Sequence, residues 1–209
     1  MRRQTPQLIG SSLSVFDKEI KEILGNFPQT KLLVFPELHL FGDGTPDLAR
    51  EEALRASAEP LDGERVEGLK QLAKDNQIWL VAGSVCEAGD NGEIFNTQIV
   101  LSPNGELVGS YRKVLSWRPA ELYDPSNKFE VVHTGELNLG LSICYDAWFP
   151  ESTRQLAWSG AEVILNVVKT TTPDRQQQLV LAQANAIVKQ VFVVSVNVAG
   201  LNRPEFSGE

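Results

Sequence analysis

Histidine is almost missing from this chain: His39 and His133 are the only two in 209 residues. A histidine-based triad or a multi-histidine metal site therefore has little to draw on, and any nucleophile must find another base. Cysteine is as scarce. Cys86 and Cys144 stand at unrelated positions, which makes neither a disulfide framework nor a zinc pattern and points to a reducing, cytoplasmic setting. No apolar run approaches the ~20 residues of a spanning helix. The opening MRRQTPQLIGSS has the charges of a signal peptide but no apolar core behind them, so no membrane partner is expected. Basic clusters are missing too. The 19 Lys and Arg form no run longer than Arg2-Arg3 and the net charge is -8, which argues against nucleic acid as a partner.

What remains is an ordinary globular composition, 42% hydrophobic and 22% charged, in a length that suits one large domain. Residues 14–24 (SVFDKEIKEIL) space Val15, Phe16, Ile20, Ile23 and Leu24 as an amphipathic helix does. KLLVFPE reads as a short apolar strand, Leu32 to Phe35, broken by Pro36. Residues 43–61 are polar and contain Pro46 and Pro60, so they read as a long loop with at most one helical turn. GERVEGLKQLAKDN predicts a second helix with Val66, Leu69, Leu72 and Ala73 on one face, and IWLVAGSV, 78–85, one buried strand. Asn91-Gly92 and Asn104-Gly105 are hairpin dipeptides that bracket IFNTQIVLS and lead into ELVGSYRKV. After a loop at 118–127, KFEVVHT and LNLGLSI pair around Gly135. The rest alternates: helix 150–159, strand EVILNVV, helix 174–190, strand VFVVSVNV. Hairpins combined with single-helix crossovers predict an α/β (α+β) fold with a mixed sheet packed by helices, not a simple doubly wound one.

Three polar residues close predicted strands. Cys144 ends the apolar run LNLGLSI, and Phe149-Pro150-Glu151 opens a helix just beyond it. Proline at the first turn and an acid behind it suit a helix N-terminus. The stretch therefore reads as strand, sharp turn and helix, with a thiol near backbone N–H groups that favour thiolate. Read alone, Cys144 is a small core residue closing a strand. Glu37 follows LLVFP directly; read alone it is a surface acid. Lys113 ends GSYRKV beside Arg112, and because neighbours on a strand face opposite ways, one of the two must point inward or across an edge. Glu121, eight positions on, is by itself a loop acid. Together, a carboxylate base, a thiol nucleophile and a lysine to stabilise an oxyanion make a complete acyl-transfer site without histidine.

VFPELHLFG, GSYRKV and GLSICYDAWFPE resemble, in order and spacing, the three signatures of the nitrilase superfamily of carbon–nitrogen hydrolases. IFNTQIVLSPNGELVGSYRK, GAEVILNV and AQANAIVKQVFVVSVNVAG extend the likeness along nearly the whole chain. The resemblance implies a four-layer αββα sandwich of mixed sheets and a homodimer or larger homo-oligomer. It also implies cleavage of small amides, carbamoylated amines or nitriles with no metal or organic cofactor. Carried across, Glu37 is general base and acid, Lys113 stabilises the tetrahedral intermediate and Cys144 forms a thioester. Glu121 matches a second glutamate that positions substrate and lysine, and the N–H of Tyr145 would complete the oxyanion hole. Trp117, Arg118, Trp148 and the run Lys169-Thr170-Thr171-Thr172 are candidates to line the pocket, with core or interface packing as the other reading of the aromatics. Cys86 reads as packing.

The chain departs from the family pattern in places. Leu115 stands two positions after the lysine, where members often have histidine. One domain, 1–209, is expected to lack part of the first strand and the C-terminal strands. Cys144-Tyr145-Asp146 resembles the amidase and carbamoylase branches, so a small amide or carbamoyl substrate is expected. Acyl transfer to an acceptor other than water, or a catalytically weak fragment with an assembly role, stay open beside hydrolysis.

Overall fold

The computed structural model describes residues 9–40, 50–117, 121–170 and 172–198. Among the described residues, nine strands build two mixed sheets. The first holds β1 (Leu32–Val34), β2 (Trp79–Val81), β3 (Ser84–Ala88), β4 (Ile94–Leu101) and β5 (Leu107–Arg112). In it β1 runs parallel to β2, while β4 pairs antiparallel with β2, β3 and β5. The second runs in the order β6 (Val131–His133), β7 (Asn138–Ile143), β8 (Val163–Val168) and β9 (Phe192–Asn197). Here β6 is antiparallel to β7, and β7, β8 and β9 are parallel.

Two helices cover the outer face of the first sheet: α1 (Ile9–Asn26) and α3 (Glu64–Asn76). Phe16, Ile20 and Ile23 of α1 and Val66, Leu69 and Ala73 of α3 are buried against Leu33, Leu80, Ile99 and Leu101. Burying each such side chain contributes about 1.5–3 kcal/mol, so the 3.6-residue spacing in the sequence becomes the layer contact. Between the sheets, Val81, Val100 and Tyr111 meet Val132, Leu139, Leu141, Ile143, Leu165 and Val167. Outside the second sheet, α4 (Pro150–Trp158) places Leu156 against Ala161 and Ile164. Helix α5 (Arg175–Lys189) packs there as well, yet leaves Ile187 and Val188 exposed. The layers run helix, sheet, sheet, helix.

Because β4 lies between neighbours, all of its eight residues are buried, the polar Asn96, Thr97 and Gln98 among them. Gln98 joins the two sheets: its Oε1 accepts from Ser142 N at 3.1 Å and its Nε2 donates to Leu165 O at 3.3 Å. The sheets also approach closely at Gly109 on β5, where a Cβ would lie 2.2 Å from Val132 Cγ2.

Two sequence expectations are corrected. IWLVAGSV is not one strand but two, β2 and β3, broken at Ala82-Gly83. Gly83 takes φ +84, and a Cβ there would lie 1.8 Å from Pro36 O, so the chain bends away where it passes the turn after β1. Residues 43–61 hold more helix than one turn: α2 (Arg50–Ser57) runs for eight residues, with Leu54 buried against Cys86 and Tyr123. Residues 43–49 of that stretch lie outside the described residues. Both Asn-Gly turns form as hairpins, and the remaining helices and strands fall within a few residues of their predicted bounds.

Candidate active site

Each site residue leaves a strand at the same seam between the sheets. Glu37 lies three residues beyond β1, Lys113 directly follows β5, and Cys144 directly follows β7. Parallel pairing sets Ile143 opposite Val167, so β7 and β8 end together, and the backbone N–H of Lys169, just past β8, reaches the Cys144 thiol.

Cys144 opens a 3-10 helix, Cys144–Trp148, and takes φ +46, the left-handed region that a non-glycine residue adopts only when its surroundings impose it. This is the sharp turn read from the sequence, and Pro150 starts α4 just beyond it. Leu38, next to Glu37, is also left-handed at φ +50, with its N–H donating to Ser84 Oγ at 3.0 Å. Strained backbone thus adjoins two of the three groups.

Glu37 is buried and its carboxylate is held at both oxygens. Oε1 accepts from Asn96 Nδ2 at 2.8 Å and lies 3.4 Å from Lys113 Nζ; Oε2 accepts the backbone N–H of Lys169 at 2.9 Å. Lys113 is buried, as one of the Arg112-Lys113 pair had to be. Its Nζ also donates to Glu121 Oε1 at 2.5 Å, and Glu121 Oε2 accepts the N–H of Trp117 at 2.6 Å. Arg112 points the other way and makes two hydrogen bonds to Glu87.

The charges explain one another. Burial raises the pKa of Glu37 above the ordinary carboxylate range; Lys113 opposes this, and Glu121 adds to it. Burial works against the Lys113 ammonium, but Glu37, Cys144 and Glu121 outweigh it and hold the lysine charged. Burial pushes the Cys144 thiol well up, Glu37 pushes it further, and Lys113 and the Lys169 N–H pull it back. The expectation of a favoured thiolate is therefore corrected. Nearby N–H groups are too few to offset desolvation and the Glu37 carboxylate, so the Cys144 thiol is pushed towards its neutral form. Burial likewise lifts Cys86 to about 11, in keeping with an inert packing residue.

Tyr145 packs edge-on to Phe149 and tilted to Trp148, whose Nε1 donates to Gln178 Oε1 at 3.2 Å. Thr170 is buried with its N–H on Asn197 Oδ1, and Trp117 is largely exposed. Arg118 and Thr171 lie outside the described residues, and of Thr172 only the backbone is described. His39 is buried against Phe16 and Phe35 with Nε2 3.2 Å from Glu19, and its ring bonds to none of these groups.

Two contributors escaped the sequence reading, and a third, Lys169, was read there only as a pocket-lining candidate. Asn96 donates to Glu37 and also receives the Lys113 N–H on its carbonyl at 2.9 Å; an asparagine inside a fully buried strand was the available signal. Lys169 acts through its backbone amide, which no side-chain pattern reveals. Asp146, seen only as part of a motif, is wholly buried. Among the described residues no group of three or more His, Cys, Asp or Glu could hold a metal ion, and no helix is long and apolar enough to cross a membrane.

The sequence pattern of the family Carbon-nitrogen hydrolase matches residues 12–207. Formamidases of Bacillus cereus (strain AH820) and Bacillus anthracis are 29% identical to the chain over 206 residues, which is 94% of this chain and 61% of theirs. The chain thus spans 61% of the length of these curated relatives. Saccharomyces cerevisiae Nit3, a member of branch 10 of the nitrilase superfamily, superposes with a TM-score of 0.83 at 25% identity, over 99% of this chain and 76% of that one. An amidase from Nesterenkonia sp. superposes with a TM-score of 0.79 at 25% identity, over 95% and 74%. With two mixed sheets between helices and a family match along nearly its whole length, the chain belongs to the carbon–nitrogen hydrolase family.

Proposed function

We propose that this protein hydrolyses the carbon–nitrogen bond of a small amide or carbamoylated amine through a thioester on Cys144. The observation that carries the reading is the meeting of a buried Glu37 carboxylate, a buried Lys113 ammonium and the Cys144 thiol at one seam, each altering the others' proton affinity. The raised thiol and raised carboxylate suit one proton transfer. As Cys144 Sγ attacks the carbonyl carbon, its proton passes to Glu37 and the carbonyl electrons move to oxygen. Lys113 Nζ and the Tyr145 N–H stabilise that oxyanion. The carbon–nitrogen bond then breaks, Glu37 returns the proton to nitrogen, and ammonia or an amine leaves. Glu37 next takes a proton from water, the hydroxyl displaces sulfur from the acyl carbon, and the thiol is restored with release of the acid.

Glu121 holds the same Lys113 Nζ that lies near Glu37, and Trp148, in the turn that carries the nucleophile, serves as a substrate contact. The single domain acts as a homo-oligomer. Formamide heads the substrate panel because the Bacillus relatives are formamidases; acetamide and N-carbamoyl amines follow. The test measures ammonia release together with the intact mass of the protein quenched during turnover. Ammonia from at least one amide, an acyl adduct on Cys144 and loss of both in Cys144→Ala support the reading. A folded chain giving neither ammonia nor adduct with any member overturns it.

A further inference from the structure

Asp146 is 0% exposed, and its two oxygens accept three hydrogen bonds from three separate places in the chain. Oδ1 takes the N–H of Leu115 at 2.9 Å; Oδ2 takes the N–H of Ile143 at 2.9 Å and the phenol of Tyr111 at 2.8 Å. Those donors are not scattered. Tyr111 and Leu115 stand two residues before and two after Lys113, and Ile143 stands one residue before Cys144. The Tyr111 hydroxyl accepts in turn from Val114 N at 3.3 Å. Lys113 is thereby bracketed by residues tied to one carboxylate, and the same carboxylate holds the strand end that presents the thiol. Asp146 is itself anchored, because its carbonyl accepts from Ser152 Oγ at 2.5 Å and from Phe149 N at 3.2 Å, at the start of α4.

Resting on the assignment of Glu37, Lys113 and Cys144 made above, we propose that Asp146 is a positioning residue that clamps the nucleophile turn of one sheet to the lysine-bearing strand end of the other. Capping the turn requires only the Ile143 bond. The two bonds that cross to the β5 side serve no local need of the turn; what they set is the separation of Lys113 from Cys144. The charge matters beside the geometry. The Lys113 charge favours the ionised form of Asp146, an attraction that works alongside those of Glu37 and Glu121 on the ammonium. An amide in its place cannot serve all three donors, since its NH2 would face one of them.

The probe is iodoacetamide, with Cys144 and Cys86 followed separately by peptide mass spectrometry across a pH series in the full chain. Four single variants are compared: Glu37→Gln, Lys113→Ala, Asp146→Asn and Tyr111→Phe. The double variant Glu37→Gln/Asp146→Asn completes a cycle. Asp146→Asn is expected to slow Cys144 alkylation by about tenfold or more, a loss typical of a misplaced reacting group, and Tyr111→Phe by a smaller factor. In the cycle, Glu37→Gln is expected to slow the Asp146→Asn protein far less than it slows wild type, because residues acting as a unit are non-additive. A residue that only stabilises the fold leaves the two effects multiplicative. Wild-type rates and pH profiles in folded Asp146→Asn and Tyr111→Phe, or multiplicative effects, overturn the clamp. If Asp146→Asn fails to fold, Tyr111→Phe decides: it keeps both backbone bonds to Asp146 and removes the side-chain bond that crosses the sheets, together with the longer Val114 N–H bond to the same hydroxyl. Wild-type Cys144 indifferent to both Glu37→Gln and Lys113→Ala instead overturns the triad, a result independent of any change at Asp146.

Discussion

Gly83 and Pro36 meet so closely that a Cβ on Gly83 would lie 1.8 Å from the Pro36 carbonyl oxygen. Glu37 is the next residue after Pro36, so the absence of a side chain at 83 fixes where the base begins. Gly83→Ala is expected to cost both stability and amide hydrolysis, as the overlap and the positive φ force the Pro36 turn outward. Gly92→Ala is the control: Gly92 shares a positive φ, +87, but a Cβ there meets nothing within 4 Å. It should cost about 1–2 kcal/mol from backbone strain alone and leave hydrolysis unchanged. Urea unfolding and ammonia release, read on both variants, check the contrast.

In the proposed reaction Glu37 must be ionised to take the thiol proton. Its pKa is raised by burial, so alkylation of Cys144 by iodoacetamide should climb with pH through a step above the ordinary carboxylate range. In Glu37→Gln that step should vanish, and reactivity should appear only above the ordinary thiol value of ~8.5, because burial still holds the thiol up. A variant that keeps the wild-type limb shows that Glu37 is not the base.

Asn96 donates to the Glu37 carboxylate, which favours its charged form. Asn96→Ala removes the donor, so Glu37 should hold its proton to still higher pH. The acid limb of the rate profile is expected to move towards alkaline pH, with kcat reduced more than KM. A limb displaced towards acid is the opposite sign.

Arg112 and Lys113 are sequence neighbours with separate work. Arg112 bonds to the buried Glu87, and Lys113 to Glu37 and Glu121. Arg112→Ala should cost about 1–3 kcal/mol of stability by stripping a buried carboxylate of its partner while hydrolysis persists. Lys113→Ala should abolish hydrolysis. Unfolding curves and ammonia assays on the pair separate the two.

Burial lifts Asp146 from 3.8 to about 6, against the pull of Lys113 and with the Tyr111 phenol as a neutral partner. A carboxylate pKa raised on folding contributes stability that is full below 3.8 and is lost as pH rises through about 6. Relative to Asp146→Asn, which does not titrate, wild type should therefore lose about 3 kcal/mol between strongly acid and mildly alkaline pH. Urea midpoints at several pH values measure it, and a difference that grows with pH contradicts the burial argument.

Much of this was legible before any coordinates. The periodicity of Phe16, Ile20 and Ile23, the Asn-Gly turns and the Phe149-Pro150-Glu151 helix start are local signals, and local signals place elements well. Glu37, Lys113 and Cys144 could be read because each ends an apolar run. What stayed hidden is what depends on neighbours distant in the chain. Nothing in AGS announces that Gly83 must clear Pro36 and split a strand in two. Asn96 on β4 meets Glu37 only after residues 59 positions apart are brought together. The thiol shift had the wrong sign because backbone N–H groups are visible near the turn in sequence, whereas the carboxylate and the desolvation come from the other sheet.

That division has a mechanical side. Glu37 and Lys113 ride on one sheet and Cys144 on the other, so the two sheets are the jaws of a calliper whose opening fixes the reach of the proposed reaction. Gly109 against Val132 is a point where those jaws approach closely. Densely packed interiors transmit strain instead of absorbing it, so each methyl group added at Gly109 is a shim that widens the gap at the working end. Under the proposed function, turnover is expected to change in steps with the size of the residue at that position.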